Sequence, residues 1–338
     1  MMEKKTKASA GAKKVLVTGA TGFIGSHMID ALEKEGFRIK ALVRKTSNIR
    51  RLKDRDIELV FGDLLHKRSL EKAVTDVDVI FHLAGFLFGN DEKDFLRVNV
   101  EGTRNLLSAI NKVNPDIRRF IYISSQAAIR PNKSNIPVDL HSEESRCSPT
   151  TYYGKSKLKA EKHVKAMSAS FPTTIIRPSL VFGPRTTAFN PFFKLIKKGI
   201  KLNMRQDRHY SFIHVNDLVR GILAAAENPA AEDKTYFMAH KESFSWNRLM
   251  SMIERLMGKR AFSLKISENT IRFIKALLPI YTFLSRDYRP ISKIEEIQQV
   301  YWLCDSTKAE KEIGFKAGIN FEKSIKETLD WSYRQGLV

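Results

Sequence analysis

Lys14-Val15-Leu16-Val17-Thr18-Gly19-Ala20-Thr21-Gly22-Phe23-Ile24-Gly25 is the stretch whose reading decides the fold. Lys14 to Gly19 read as a short buried strand that runs straight into a glycine-rich turn. Helical spacing then continues over about 23–35, with Gly36 placed as a C-terminal cap. Each glycine has its own physical task. Gly19 permits the tight turn, Gly22 lets backbone N–H groups approach a pyrophosphate, and Gly25 allows close packing of helix on strand. The N-terminus of the helix would add partial positive charge facing that anion. A glycine triplet alone is weak evidence, but a strand–turn–helix context is what a dinucleotide site requires. Thr21, Phe23 and Ile24 lie in the same loop and join Gly19, Gly22 and Gly25 as candidate cofactor contacts.

Further strands are predicted at 37–43, 57–61, 77–83, 119–124 and 173–176, with helical stretches between 61 and 77, at 95–113 and at 152–167. Strands alternating with helices imply an α/β protein, a Rossmann-type doubly wound parallel sheet covered on both faces. After Pro184 the pattern loosens. Helices are predicted at 189–198, 214–227, 246–257, 271–278 and 321–333, with short strands near 211–213 and 235–238. The chain is therefore divided into a flexible basic tail (1–13), a dinucleotide-binding portion (14–184) and a smaller, mostly substrate-binding portion (185–338). Some segments of the last are expected to return to the sheet. It would cover the carboxyl edge, where open α/β sheets bind ligands.

Composition narrows the class. In 338 residues, 43% are hydrophobic and 28% charged, the balance of a folded soluble protein. Cys147 and Cys304 are far apart and lack metal-ligand spacing, so they read as reduced packing residues of a cytoplasmic protein. No apolar run is long enough to cross a bilayer, and the basic N-terminus lacks an apolar signal core. Lys and Arg number 58 against 37 Asp and Glu, a net charge of +21. Such charge can attract anionic ligands, nucleic acid or a membrane surface. Because the basic residues are scattered through every helix, they read first as a solvated surface. No nucleic-acid-binding signature accompanies them.

The end of the second strand bears on which dinucleotide is held. An NAD enzyme places Asp or Glu there, against the ribose 2′-hydroxyl. This chain has Leu42-Val43-Arg44-Lys45 and no acid. Arg44 can grip a 2′-phosphate bidentately and Lys45 adds a second positive charge, which favours NADP(H) and leaves NAD(H) as the alternative.

Tyr153 and Lys157 lie four residues apart, on one face of the helix at 152–167. A phenol with an ordinary pKa of about 10 is a poor base at neutral pH, but a neighbouring ammonium favours the phenolate. Tyr153 then becomes a useful proton donor or acceptor. Ser125, at the carboxyl end of the strand Phe120–Ser124, could hydrogen-bond a reacting carbonyl or hydroxyl.

These motifs fall in the order found in the extended short-chain dehydrogenase/reductases, and the chain resembles that family along nearly its whole length. The matching segments are Thr18–Gly25, Gly62–Leu64, His82–Gly85, Asn99–Thr103, Ile123–Ser125, Tyr153–Lys157, Arg177–Pro184 and Phe212–Asp217. The resemblance implies that Asp63 and Leu64 lie along the adenine, and Leu83, Ala84 and Gly85 along the cofactor backbone. It also implies that Lys157 holds the nicotinamide ribose, that Pro178 to Leu180 flank the nicotinamide, and that Ser125, not Ser124, is catalytic. Asn99 is expected to be structural or near the cofactor, and His214 to organise the fold. Homodimers are common in the family, and nothing in the residues decides for one here.

The family divides among nucleotide-sugar epimerases, sugar dehydratases and carbonyl/alcohol oxidoreductases. Dehydratases carry acids after the catalytic hydroxyl, where this chain has Gln126 and Ala127. Epimerases commonly carry Asn where it has Leu180, and a phosphate-binding Arg where it has Tyr210; Arg205 or Arg208 could substitute. Phe86-Leu87-Phe88 suggests an apolar substrate wall. The expectation is an oxidoreductase resembling the dihydroflavonol reductase and 3β-hydroxysteroid dehydrogenase branch, with an epimerase second and a non-catalytic dinucleotide-binding scaffold third. Finally, residues 271–284 form the most apolar stretch of the C-terminal half, interrupted by Arg272 and Lys275. They read either as a helix packed over the site, kinked or ended at Pro279, or as a segment meeting an anionic membrane surface.

Overall fold

In the computed structural model, residues 13–89, 91–132, 140–285 and 299–338 are described. The N-terminal tail, up to Ala12, lies outside them. The first half of the chain contributes β1 (Lys14–Thr18), α1 (Phe23–Lys34), β2 (Arg38–Val43), β3 (Ile57–Phe61), α2 (Lys67–Val74), β4 (Val79–His82), α3 (Glu92–Phe95), α4 (Gly102–Val113), β5 (Arg119–Ile123), α5 (Tyr152–Ala166) and β6 (Thr173–Pro178). The second half contributes β7 (Leu180–Phe182), α6 (Asn190–Lys197), β8 (Ile200–Met204), β9 (His209–His214), α7 (Val215–Glu227), β10 (Lys234–Met238), β11 (Ser243–Ser245), α8 (Trp246–Leu256), β12 (Phe262–Ile266), α9 (Glu268–Ser285), β13 (Tyr301–Trp302), α10 (Thr307–Ile313) and α11 (Phe321–Arg334).

A seven-stranded sheet in the order β10-β6-β5-β4-β1-β2-β3 forms the centre, and every pairing within it is parallel. Its strands are apolar on both faces because both are covered. Val15 and Val17 of β1, Phe81 of β4 and Ile121 of β5 enter one core with α1, α7 and α10. The intervening Leu16, Ile80 and Phe120 enter the other, with α2, α4 and α5. The α1 helix ends as the glycine rule requires. Gly36 takes φ +78°, its N–H donates to the Glu33 carbonyl, and the Phe37 N–H donates to that of Leu32.

The segment expected as one helix at 95–113 is broken by a π-helical turn, Leu96–Glu101, between α3 and α4. A π turn is a one-residue insertion that leaves the apolar period nearly intact, and such turns concentrate at functional sites.

The rest of the chain builds a small sheet in which β9 pairs with β7, β11 and β13, around a core rich in aromatic rings. Phe244 stacks on Phe321 there, with ring centroids 3.5 Å apart. A separate parallel pair, β8 with β12, was not anticipated, because its residues are mostly half-buried or exposed and carry no burial period. Helix α9 continues past Pro279 to Ser285 instead of ending there. A proline within a helix removes one backbone hydrogen bond, a loss this helix of 18 residues carries. Among the described residues, no helix is long and apolar enough to cross a membrane.

Candidate active site

The carboxyl ends of β1 to β6 open onto a cleft of about 600 Å³. Its floor is the glycine turn. Gly19 sits at φ +72°, and a Cβ there would stand 2.7 Å from the backbone nitrogen of Ala84. At Gly25 the conflict is worse, 2.0 Å from the Gly19 carbonyl oxygen, so helix and turn touch backbone to backbone. No side chain caps the N-terminus of α1 and its first turn carries no acid, so its N–H groups are left for an anion.

Gly19, Thr21, Gly22, Phe23, Ile24, Gly25, Arg44, Asp63, Leu64, Leu83, Ala84, Gly85, Ser125, Tyr153, Lys157, Pro178 and Leu180 all line this cleft. Of the candidate catalytic and cofactor-binding residues, Lys45 alone does not. It lies one residue beyond Arg44, and both side chains are exposed. Ser47 takes its place in the wall, where its hydroxyl accepts a hydrogen bond from the Arg44 N–H at 3.1 Å. Within the segment Pro178 to Leu180, Ser179 also lines the cleft, and its buried hydroxyl lacks a hydrogen-bond partner among the described atoms. An unpartnered hydroxyl in the wall, a bare helix N-terminus and a turn without room for a Cβ together fit a bound dinucleotide.

The two adjacent serines have different surroundings. Ser124 donates to the Glu161 carboxylate at 2.5 Å and is buried. The Ser125 hydroxyl accepts from the Ala127 N–H at 3.1 Å, capping a short 3₁₀ turn, which leaves its own hydrogen for a ligand oxygen. Tyr153 is the second residue of α5, whose Thr151 cap accepts from the Gly154 N–H. Its ring packs edge-on to Phe95. One turn on, Lys157 donates to the Ile123 carbonyl at 2.5 Å and lies 4.3 Å over the Tyr122 ring.

Another four residues along the helix is Glu161, which the sequence reading did not use. It accepts from Arg177 Nε at 2.9 Å and Nη2 at 2.6 Å, a forked ion pair with both partners about 1% exposed. Burial works against the Arg177 charge, but Glu161 outweighs it and the guanidinium pKa rises. The signal was available, since Tyr153, Lys157 and Glu161 form a stripe at i, i+4 and i+8.

Behind the wall, polar groups join in one direction. Thr103 Oγ1 donates to the Asn99 carbonyl at 2.6 Å, so it must accept from His82 Nε2, 2.9 Å away. The other ring nitrogen then accepts from Thr18 Oγ1 at 2.7 Å. Burial, with the Lys157 charge adding to it, holds the His82 pKa down at about 3, consistent with that single neutral tautomer. Asn99, in the π turn, holds Phe86 through both its N–H and its carbonyl and donates to Ser156 at 2.9 Å. His214 is outside the cleft lining. It is buried at the start of α7, where Nδ1 accepts from the Asn216 N–H at 3.3 Å.

Burial lowers the Lys157 pKa to about 7, with the Glu161 charge opposing the fall. Between that value and about 10.5 the unfolded chain holds a proton that the folded chain releases, so stability rises with pH across this window. Below pH 7 the full cost of a buried cation is present. Lys157→Met is therefore expected to stabilise the ligand-free protein by a few kcal/mol, about 2–4, at pH 6. The gain should shrink as pH rises above about 7 and be gone by about pH 11.5, where the lysine is neutral in both states. Urea unfolding at several pH values checks this; a pH-independent difference would contradict it.

A parallel sheet with a glycine turn at its switch point and a Ser–Tyr–Lys set above it defines a dinucleotide-binding α/β protein. The profile of the NAD dependent epimerase/dehydratase family matches residues 15–239, and the chain belongs to that family. It is 27% identical to the ceramide reductase of Caulobacter vibrioides, over 94% of this chain and 93% of that protein. It is also 28% identical to a UDP-glucose 4-epimerase of Vibrio cholerae, over 75% of this chain and 79% of the relative. Among solved structures, UDP-glucuronic acid 4-epimerase from Bacillus cereus, in complex with UDP-glucuronic acid and NAD, superposes with a TM-score of 0.76 at 23% identity. That superposition covers 95% of this chain and 99% of the other.

Proposed function

We propose that this protein is an NADP(H)-dependent oxidoreductase acting on the carbonyl or secondary alcohol of an apolar substrate, with Tyr153 as the acid/base. The observation that carries this reading is the composition of the cleft wall. Among the described residues, Arg44 and Asp63, beyond the ends of β2 and β3, and Lys157 are the only charged residues lining it. Phe86, Leu87, Leu180 and Val181 supply an apolar wall. Among the described residues, a diphosphate of a nucleotide-sugar would find no cation in this lining besides Lys157 and Arg44. The two arginines that could have substituted offer little: Arg208 is buried in an ion pair with Glu268, and Arg205 is not in the lining. Tyr210, at the position of the epimerases' arginine, is buried with its hydroxyl donating to the Gln299 carbonyl at 3.2 Å. Similarity to a ceramide reductase points the same way.

The bound dinucleotide supplies or accepts the hydride. Ser125 and Tyr153 would donate hydrogen bonds to the substrate oxygen, and Tyr153 would give it the proton on reduction or take it on oxidation. Lys157 in its cationic form favours the phenolate that remains. An anionic cofactor in the cleft would push the Lys157 pKa back up and restore that cation.

Fluorescence titration tests the cofactor half of this reading. NADPH should bind more tightly than NADH, and Arg44→Ala should weaken NADPH by about ten- to a hundredfold, the worth of a charged hydrogen bond, while sparing NADH. Equal affinities in the unmutated protein would overturn it. For the substrate, NADPH consumption with long-chain and aryl ketones is set against interconversion of UDP-glucose and UDP-galactose. Activity confined to the sugar nucleotides would make the protein an epimerase; turnover of neither set, with tight cofactor binding, would favour a scaffold.

A further inference from the structure

We propose that the outer face of β12 and α9 is a docking surface for anionic lipid bilayers. Phe262 on β12 is 74% exposed and Phe273 on α9 is 65% exposed, the two highest values among the described large hydrophobic residues. Leu264 lies on the same side of the strand as Phe262, and both are open to solvent. In α9, buried Ile271 and Leu278 sit two turns apart and hold the helix to the body, leaving Phe273, Ile274 and Leu277 exposed. Single exposed apolar residues need no explanation, but five within residues 262–277, on a strand and on the helix directly after it, do.

Charge identifies the occupant. Lys259, Arg260, Lys265 and Arg272 alternate with the apolar residues along the chain, all exposed, and they make no ion pair among the described residues. The two acids of this stretch, Glu254 and Glu268, are neutralised from within by Lys201 and Arg208. What faces outward is therefore apolar and positive, the composition of an interfacial segment drawn to anionic headgroups. A second copy of this chain is a poor occupant, since a two-fold contact would bring the same cations together. The position also suits the site. Ile271 belongs to the aromatic core against which Tyr153 and Leu180 pack, so one continuous apolar layer runs from the docking face to the cleft. Docking itself requires nothing of the reaction.

Co-sedimentation of the full chain with phosphatidylcholine vesicles, with and without phosphatidylglycerol, tests this at low and high salt. Binding is expected only with phosphatidylglycerol and should fall as salt rises. The double variants Phe262→Ser/Phe273→Ser and Lys265→Glu/Arg272→Glu should each weaken it at least about tenfold. Lys4→Glu/Lys5→Glu/Lys7→Glu, in the N-terminal tail, should retain most of it. Unchanged far-ultraviolet circular dichroism and thermal midpoints show that the variants fold; should the phenylalanine pair not fold, the charge pair decides alone. No binding to phosphatidylglycerol vesicles would overturn the proposal. So would equal losses in the tail and patch variants, which would mean diffuse attraction to a basic protein. A self-association by sedimentation velocity that disappears in the patch variants would assign the face to a second copy instead.

Discussion

Tyr153→Phe is expected to lower turnover by about 10²–10⁴ while leaving cofactor affinity unchanged, the effect of removing a positioned proton donor. The change deletes one oxygen. The ring stays, and with it the edge-on contact to Phe95 at 6.4 Å, so the entry to α5 and the placement of Lys157 should survive. Steady-state kinetics with NADPH, beside a fluorescence titration of the same variant, separates chemistry from binding. Full activity on a true substrate would remove Tyr153 from the mechanism, and a matching loss of cofactor affinity would make it a binding residue.

Glu161→Ala should be the most damaging change for stability. It strands the Arg177 guanidinium, about 1% exposed, and takes the acceptor from Ser124. Breaking a buried pair by removing one partner costs about 3–5 kcal/mol, because the remaining charge is left without compensation. Removing both partners is a different matter. Glu161→Leu/Arg177→Met should recover much of the loss, since an apolar pair avoids desolvating two ions. Urea unfolding of the single and double variants measures the coupling. A loss below about 1 kcal/mol in the single variant would mean that water reaches Arg177 and compensates it.

The central sheet was legible because burial on both faces leaves its middle strands an unbroken apolar run, as in Val15–Val17 of β1 and Phe120–Ile123 of β5. The glycine turn was legible for a sharper reason, since two of its positions leave no room for any Cβ. Three kinds of feature stayed hidden. The β8–β12 pair has too little burial to print a period, and the π turn shifts the helical frame by a single residue. The Glu161–Arg177 pair joins a helix to a strand, and local spacing shows only its helical half. At the end of β2, two adjacent basic residues read alike in sequence, and only the turn closed by Ser47 separates Arg44 from Lys45.

The central sheet is not finished when the chain first leaves it. After β6 the backbone passes through β7, α6, β8 and β9 before α7 returns to the core of the sheet and β10 pairs beside β6. It departs again through α8, β12 and α9, and returns once more when α10 packs into that same core. Wall-building segments and sheet-building segments are thus threaded alternately along one sequence. A ribosome must deliver Met238 before the last strand of the sheet can pair, so the nascent chain carries an open edge at β6 through the synthesis of much of the aromatic core. In evolution the same threading denies the protein an exchange of its wall-building part by a single recombination. New preferences have to arise residue by residue, on a framework whose folding they also affect.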